Sequence, residues 1–450
     1  MTDQPIPQAP DDRLPRRLGV WSAVAILVGS AIGSGIFRVP AGVAARLGDP
    51  GAMLTDWVLG GALALAGALT LAELAAALPR SGGIFAYVLE AFGPLPAFLF
   101  GWAQLAVLRA SSLGAIATIF AEYLGYFIHL TPQGVRNVAA GTLILVGVLN
   151  WVGINVAAIV MNVTTAAKFG TLAGLVLLAF LFGDGNLANL APSGAPVPAT
   201  AMTTALVSIM WAYDGWADLS FIGGEVKHPG RTMPRALIIG TALIVAIYLA
   251  INAAYLYLVP AADMAHSKLV AATAAERIPL IGRAGASVVA AMVMLSCFGA
   301  CNGSMITGPR VFFAMADRGL FFRWVARVSP RFQTPSAAIW LACGLGVFYV
   351  LQNDFQQLAD RFVLGVWPFY ALAVAGVFVL RRRQPDLPRP YRALGYPVVP
   401  FLFLVGSVGM VVNALVTDPG GTGVTFLIIL AGVPVYFVWK RRAAGRGAGA

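Results

Sequence analysis

Charge is what this chain has least of. Asp, Glu, Lys and Arg make up 11% of its 450 residues, against 59% apolar residues. The length would suit two or three soluble domains, but so little charge excludes them. The three cysteines, Cys297, Cys301 and Cys343, exclude a disulfide framework. Cys297 and Cys301 stand four apart in one apolar run and read as small packing residues on one helix face. The three histidines, His129, His228 and His266, fall in or near loops with no metal-ligand spacing, so neither a metal nor a cofactor is called for. Metalloprotease-type His spacings and a spaced nucleophile–base pair are missing as well. A membrane-embedded enzyme would need such groups at membrane depth, so the chain is read as a non-enzyme. Apart from a Gly/Ala/Arg tail after Lys440, no low-complexity tract or soluble domain is visible.

What the chain has is apolar runs of about 20 residues, each long enough to span a bilayer. The first is too long and too glycine-interrupted for a cleaved signal peptide. Twelve spans are predicted, near 18–45, 51–77, 94–127, 135–152, 156–182, 199–226, 233–260, 284–316, 336–352, 357–380, 398–416 and 422–439. The net charge of +11 would suit nucleic acid, but its placement suits a membrane. Of 30 Lys and Arg residues, 21 fall in alternate connections and tails on one side and 6 on the other, with Arg38, Arg109 and Lys168 inside spans. That bias predicts a multi-pass protein of the cell membrane with both termini cytoplasmic, residues 1–17 and 440–450 being the tails. The segment at 261–283 is the longest outer connection and is expected to cap that face. The piece from Phe85 to Phe92 reads as interfacial.

The organising stretch is Gly29-Ser30-Ala31-Ile32-Gly33-Ser34-Gly35. Three glycines in seven residues, each costing about 1 kcal/mol against alanine, argue against a continuous helix. Such a break is tolerated in hydrocarbon only where protein or a watery cavity surrounds it. The stretch is therefore either a binding site or a small-residue packing face. A second interruption tips the balance: Trp211-Ala212-Tyr213-Asp214-Gly215-Trp216 puts an Asp–Gly pair inside span six. If spans one to five and six to ten are repeats of opposite topology, the breaks fall in corresponding helices, the best pointer to a transporter's midplane site.

The two breaks complement each other chemically. The helix restarting after Gly33 points its N-terminus at the site, offering the Ser34 and Gly35 amides and the Ser34 hydroxyl to a carboxylate. The first half of span six ends in unpaired carbonyls near Trp211 and Asp214, which suit an ammonium. Together they describe an α-amino acid.

At these residues the chain resembles the amino acid–polyamine–organocation superfamily, most closely the L-type amino acid transporter branch and its bacterial relatives. The matching stretches are Val28-Gly-Ser-Ala-Ile-Gly-Ser-Gly-Ile-Phe37, Ala72-Glu-Leu with Leu78-Pro-Arg-Ser-Gly-Gly83, and Trp211 to Trp216. Further along come Gly224-Glu-Val-Lys-His-Pro-Gly-Arg231 with Pro234-Arg235, and Asn302-Gly303 with Arg310. The resemblance implies an all-α fold of twelve transmembrane helices around a 5+5 inverted-repeat, LeuT-like core with helices 1 and 6 broken. Residues 18–182 would form the first repeat, 199–380 the second, and 398–439 helices 11 and 12. It implies substrate carboxylate at Ser34 and Gly35, and amino group at carbonyls near Ala31, Ile32, Trp211 and Asp214. The candidate substrate site is accordingly Ala31, Ile32, Gly33, Ser34, Gly35, Trp211, Ala212, Tyr213, Asp214 and Gly215, with Trp211 as the gate. Lys168 is implied to stand in for the sodium ion of sodium-coupled relatives, bridging the first helix to span eight. Two departures concern the pocket: Ala217 stands where some animal members carry a polar residue, and Ile84-Phe85 replaces a more polar pair. A third concerns partners: the loop from Tyr126 to Gly134 lacks the cysteine that ties animal members to a heavy chain, so no disulfide-linked partner is expected.

The resulting expectation is a sodium-independent secondary transporter of mostly neutral L-amino acids, by exchange or proton-linked, working by alternating access. A cationic amino acid or polyamine antiporter is the alternative Asp214 allows, and a non-transporting sensor on the same fold is another. Arg109 either lines the pathway or pairs with an acidic residue. Glu73 and Glu225 are expected to lock inner loops through arginines.

Overall fold

Where the sequence places apolar runs, the computed structural model places helices. The structure describes residues 18–79, 82–152, 154–317, 321–327, 329, 331, 332 and 334–447. The N-terminal tail, Arg80 and Ser81 of the inner loop, Arg318, and the side chains of Glu225 and Arg310 lie outside the described residues.

Val20–Ala31 (α1) stops in the glycine-rich stretch, and the chain resumes as Gly35–Leu47 (α2), bent by 46° from it. Pro50–Ala77 (α3), Ile84–Phe92 (α4) and Pro94–Ala103 (α5) follow, then a π-helical turn, Gln104–Leu108, which runs into Arg109–Leu124 (α6). Pro132–Val152 (α7) and Ile154–Phe182 (α8) lead to Ala199–Tyr213 (α9). A turn and a 3-10 segment, Asp218–Glu225, precede Pro229–Leu258 (α10). Two short helices, Ala261–His266 (α11) and Val270–Glu276 (α12), then Gly282–Asp317 (α13), Ser336–Gln352 (α14) and Phe355–Arg383 (α15) come next. Val398–Thr417 (α16), Pro419–Leu430 (α17) and Gly432–Gly447 (α18) end the chain.

Among the described residues, eight helical stretches are long and apolar enough to cross a membrane, nine with the bent pair α1/α2 taken as one span, and three shorter apolar helices lie among them. No named strand occurs among the described residues. Leu181, Phe401 and Leu427 are each 60% or more exposed, and water would not tolerate so much apolar surface on one molecule. The chain is a polytopic, all-helical membrane protein.

Three packing features position the centre. On α3, Trp57 meets Tyr213 and Tyr248 edge-on, with ring centroids 5.6 and 5.9 Å away, fastening α9 and α10 to α3. Near the far end of α3, the buried Glu73 carboxylate receives Arg381 Nε at 2.9 Å, the Ala393 N–H at 2.7 Å and the Arg389 guanidinium at 3.4 Å. That is the arginine lock the sequence led us to expect. The stretch read as interfacial, α4, packs Ile84, Phe85 and Val88 inward and lies against α15. Of the predicted outer cap, α11 and α12 pack on α2 and α13.

Asp49 ties the loop before α9 to the start of α3. Its carboxylate accepts from the Ala52 N–H at 2.7 Å, the Ser193 hydroxyl at 2.7 Å and the Ser193 N–H. The Ser193 hydroxyl and then the Ala52 N–H are the main causes that hold this carboxyl below the usual carboxylate range. A depressed acid stabilises the fold above its unfolded-state titration, and that stabilisation is lost as pH falls through the folded value. Asp49→Ala is thus expected to lower the melting temperature by about 1–3 °C at pH 7 through loss of the helix cap. The gap should close as pH drops below about 4, near the free carboxylate's titration. Melting curves of the two proteins over pH 3–7 check this.

Candidate functional site

The two interrupted helices meet back to back. A Cβ placed on Gly35 would lie 2.6 Å from Ala212 Cα, and one on Gly215 would lie 2.8 Å from Ala31 Cα. Each break thus brings a glycine against the backbone of the other. Gly215 also has φ of +109°, a conformation L side chains rarely adopt.

At the start of α2 the backbone N–H groups of Ser34, Gly35 and Ile36 find no hydrogen-bond partner among the described residues. The Ser34 side chain does not cap the helix either. These are orphan donors at the positive end of a helix dipole. On the opposing side the Tyr248 hydroxyl lies 2.9 Å from the Ala31 carbonyl oxygen and 3.0 Å from that of Ala212. A phenol has one proton, so it serves one of these carbonyls at a time, and the Ala31 carbonyl also accepts from the Gly33 N–H at 2.8 Å. Lys168 is 1% exposed and donates from Nζ to the Gly29 carbonyl at 2.9 Å, setting a cation at the negative end of α1. The expected bridge to α13 takes no hydrogen bond from Lys168 among the described residues.

A cavity of about 290 Å³ opens at the junction. That is close to the lower end of the range for small-molecule sites. Its wall includes Ala31, Gly33, Ser34, Gly35, Trp211, Asp214 and Gly215 of the sequence-derived set. Ile32, Ala212 and Tyr213 do not line it. Tyr213 turns away and donates to the Trp57 carbonyl at 3.1 Å. Trp211 covers one end, its ring 5.2 Å from Phe362 and 6.3 Å from Phe355. Beyond this aromatic layer Arg38 pairs with Glu122 at 2.9 Å, and Ser208 accepts from Arg46 and Gln356, each at 3.0 Å.

Wall residues outside the sequence-derived site include Tyr370, Asp218, Gln104 and Arg109. Asp214 accepts from the Tyr370 hydroxyl at 2.8 Å. Asp218, Gln104 and Arg109 add to a polar wall that also holds Ser30, Ser112, Ser304 and Thr307. Gln104 and Arg109 are five apart and would point to different sides of an α-helix. The π turn stacks them, since the Arg109 N–H closes on the Gln104 carbonyl. Such a turn leaves no sequence signal, though it is frequent at functional sites.

A bundle of membrane helices enclosing a cavity where two broken helices meet is the architecture of a membrane carrier for small molecules. The comparisons give the family: the amino acid permease model matches residues 18–439, and the chain belongs to that family. It is 31% identical over 436 residues to the Serine/threonine exchanger SteT of Bacillus subtilis (strain 168), covering 96% of this chain and 99% of that protein. It is 33% identical to the human b(0,+)-type amino acid transporter 1 (95% and 88% covered). To the human Cystine/glutamate transporter it is 32% identical (96% and 87% covered).

Proposed function

We propose that this protein is a sodium-independent secondary transporter, not an enzyme, that moves neutral L-amino acids across the cell membrane, by exchange or linked to protons. The observation that carries the reading is the set of free N–H groups at Ser34, Gly35 and Ile36 at the start of α2, with Ser34, Gly35 and Ala31 in one cavity wall and the carbonyls of Ala31 and Ala212 sharing the Tyr248 hydroxyl. A carboxylate fits the first group and an ammonium the second. The names of the relatives, exchangers and transporters of amino acids, support the same class.

In this reading the chain makes twelve spans. Residues 18–182 and 199–380 are inverted five-helix repeats, 398–439 adds two helices, and both termini are cytoplasmic. The candidate site remains Ala31 to Gly35 and Trp211 to Gly215. Ile32, Ala212 and Tyr213 would contribute backbone or packing behind the cavity wall. Trp211 with Phe355 and Phe362 forms the outer gate, and Lys168 holds α1 where a sodium-coupled relative would use an ion. The absence of a cysteine from Tyr126 to Gly134 argues against a disulfide-linked heavy chain.

Charge supports a neutral substrate. Around the cavity Asp214 and Asp218 are offset by Arg109 and Lys168, so a net cation would unbalance the centre. Labelled amino acid uptake into proteoliposomes without sodium is the test, with internal amino acid and pH gradient varied separately. Uptake that requires internal substrate marks an exchanger, and uptake into empty vesicles on an inward proton gradient marks a proton-linked carrier. Preference for arginine, lysine or polyamines would establish the cationic antiporter. Binding without flux of any amino acid would establish a sensor.

A further inference from the structure

The polar wall of the cavity carries groups that nothing among the described residues satisfies. The Nε of Arg109 and the Oε1 of Gln104 are buried without a hydrogen-bond partner. Asp218 lies within electrostatic reach of Arg109, yet no oxygen of it comes within the 4.0 Å of an ion pair, and it accepts no hydrogen bond among the described residues. Buried polar groups are ordinarily paired, and an unpaired one costs roughly 1–3 kcal/mol, more when charged. These two buried atoms, with the part-exposed Asp218 carboxylate beside them, form a template for something that is absent.

The template is built, not accidental. The π turn aligns Gln104 with Arg109. Gly308 on α13 leaves the room that the Arg109 stem occupies, since a Cβ there would collide with its Cδ and Nε. The chain reversal at Gly215 carries Asp218 to the same wall. Asp214 is the exception, because the Tyr370 hydroxyl already engages it.

We infer that Arg109, Gln104 and Asp218 form a side-chain subsite for a carboxamide, so that glutamine and asparagine are the preferred substrates. The inference rests on the amino acid transport reading above and names its substrate class. A primary amide has two N–H donors and one carbonyl acceptor. The two N–H groups match the Gln104 oxygen and the Asp218 carboxylate, and the carbonyl matches the Arg109 guanidinium. A carboxamide is neutral and leaves the charge balance of the centre intact. A leucine side chain of similar size would leave all three groups unsatisfied. A lysine side chain would bring its ammonium to Arg109.

The test is competition by glutamine, asparagine, threonine, leucine, lysine and glutamate, read twice. The first readout is inhibition of labelled uptake in proteoliposomes. The second is thermal stabilisation of the purified protein, which reports binding even without flux. Glutamine is expected to outcompete leucine by about 10- to 100-fold. In Asp218→Ala the glutamine-to-leucine ratio should fall toward one with leucine still handled, which shows that the variant folds. The isosteric Asp218→Asn keeps one acceptor and should give an intermediate ratio. Leucine or lysine equal to glutamine in the unaltered protein, or a ratio unmoved by both variants, overturns the subsite. Absence of all flux with the glutamine preference kept in thermal stabilisation overturns transport and upholds the subsite.

Discussion

Gly35→Ala is expected to lower amino acid uptake by at least about 100-fold, although helix propensity alone favours the change by about 1 kcal/mol. The reason is contact between the two breaks. The added methyl would sit 2.6 Å from Ala212 Cα, 2.9 Å from its Cβ and 3.2 Å from Trp211 Cδ1. The first of these is backbone and cannot swing aside, so α2 and α9 must separate. Separation parts the Ser34–Gly35 donors from the opposing carbonyls and loosens the Trp211 cover. Uptake in proteoliposomes measures the loss, and circular dichroism verifies that the helices persist. Gly141→Ala, at a position on α7 with nothing within 4 Å, is the control expected to match the unaltered protein. Normal uptake by Gly35→Ala would mean that the breaks need not touch.

Lys168→Met should cost roughly 30- to 100-fold in uptake, on the scale of losing a charged hydrogen bond of about 1.5–3 kcal/mol plus the disordering of its acceptor. Methionine keeps most of the stem's volume and removes the ammonium. The Gly29 carbonyl, now served by Lys168 at 2.9 Å, then loses this donor at the end of α1. The centre also loses one of the two cations that offset Asp214 and Asp218. If the ammonium does the work of a bound ion, the unaltered protein transports equally in sodium and in choline buffers. Full uptake by Lys168→Met, or a sodium requirement in the unaltered protein, would remove that role.

Much of the architecture is legible in the chain because hydrocarbon imposes simple terms. A stretch that crosses it must be apolar and helical, so α3, α10 and α15 announce themselves by length and composition. Glycine and Asp–Gly pairs weaken a helix wherever they stand, so both interruptions are visible without knowing what surrounds them. Glu73 was readable as the partner of arginines. Its actual partners, Arg381 and Arg389, depend on how α15 ends beside α3.

The wall of the cavity is another matter. Tyr213 adjoins the second break in sequence but faces Trp57, because neighbouring residues on a helix point about 100° apart and proximity along the chain does not fix a face. Tyr248 is one aromatic in a long apolar run, and nothing local distinguishes it from packing. Its hydroxyl finds two carbonyls only once α10 lies beside both breaks. Arg109 and Gln104 share a wall because one turn of helix takes an extra residue, and Asp218 reaches it through the reversal at Gly215.

The sequence by itself determined the membrane class, the helical character of the apolar runs, the two weak points and the family, since each follows from composition, hydropathy or residue order. Tertiary structure decided which break meets which, which polar groups are left unsatisfied and what shape they enclose. Those depend on contacts between residues far apart in the chain, and a free donor or acceptor is defined only by what fails to reach it.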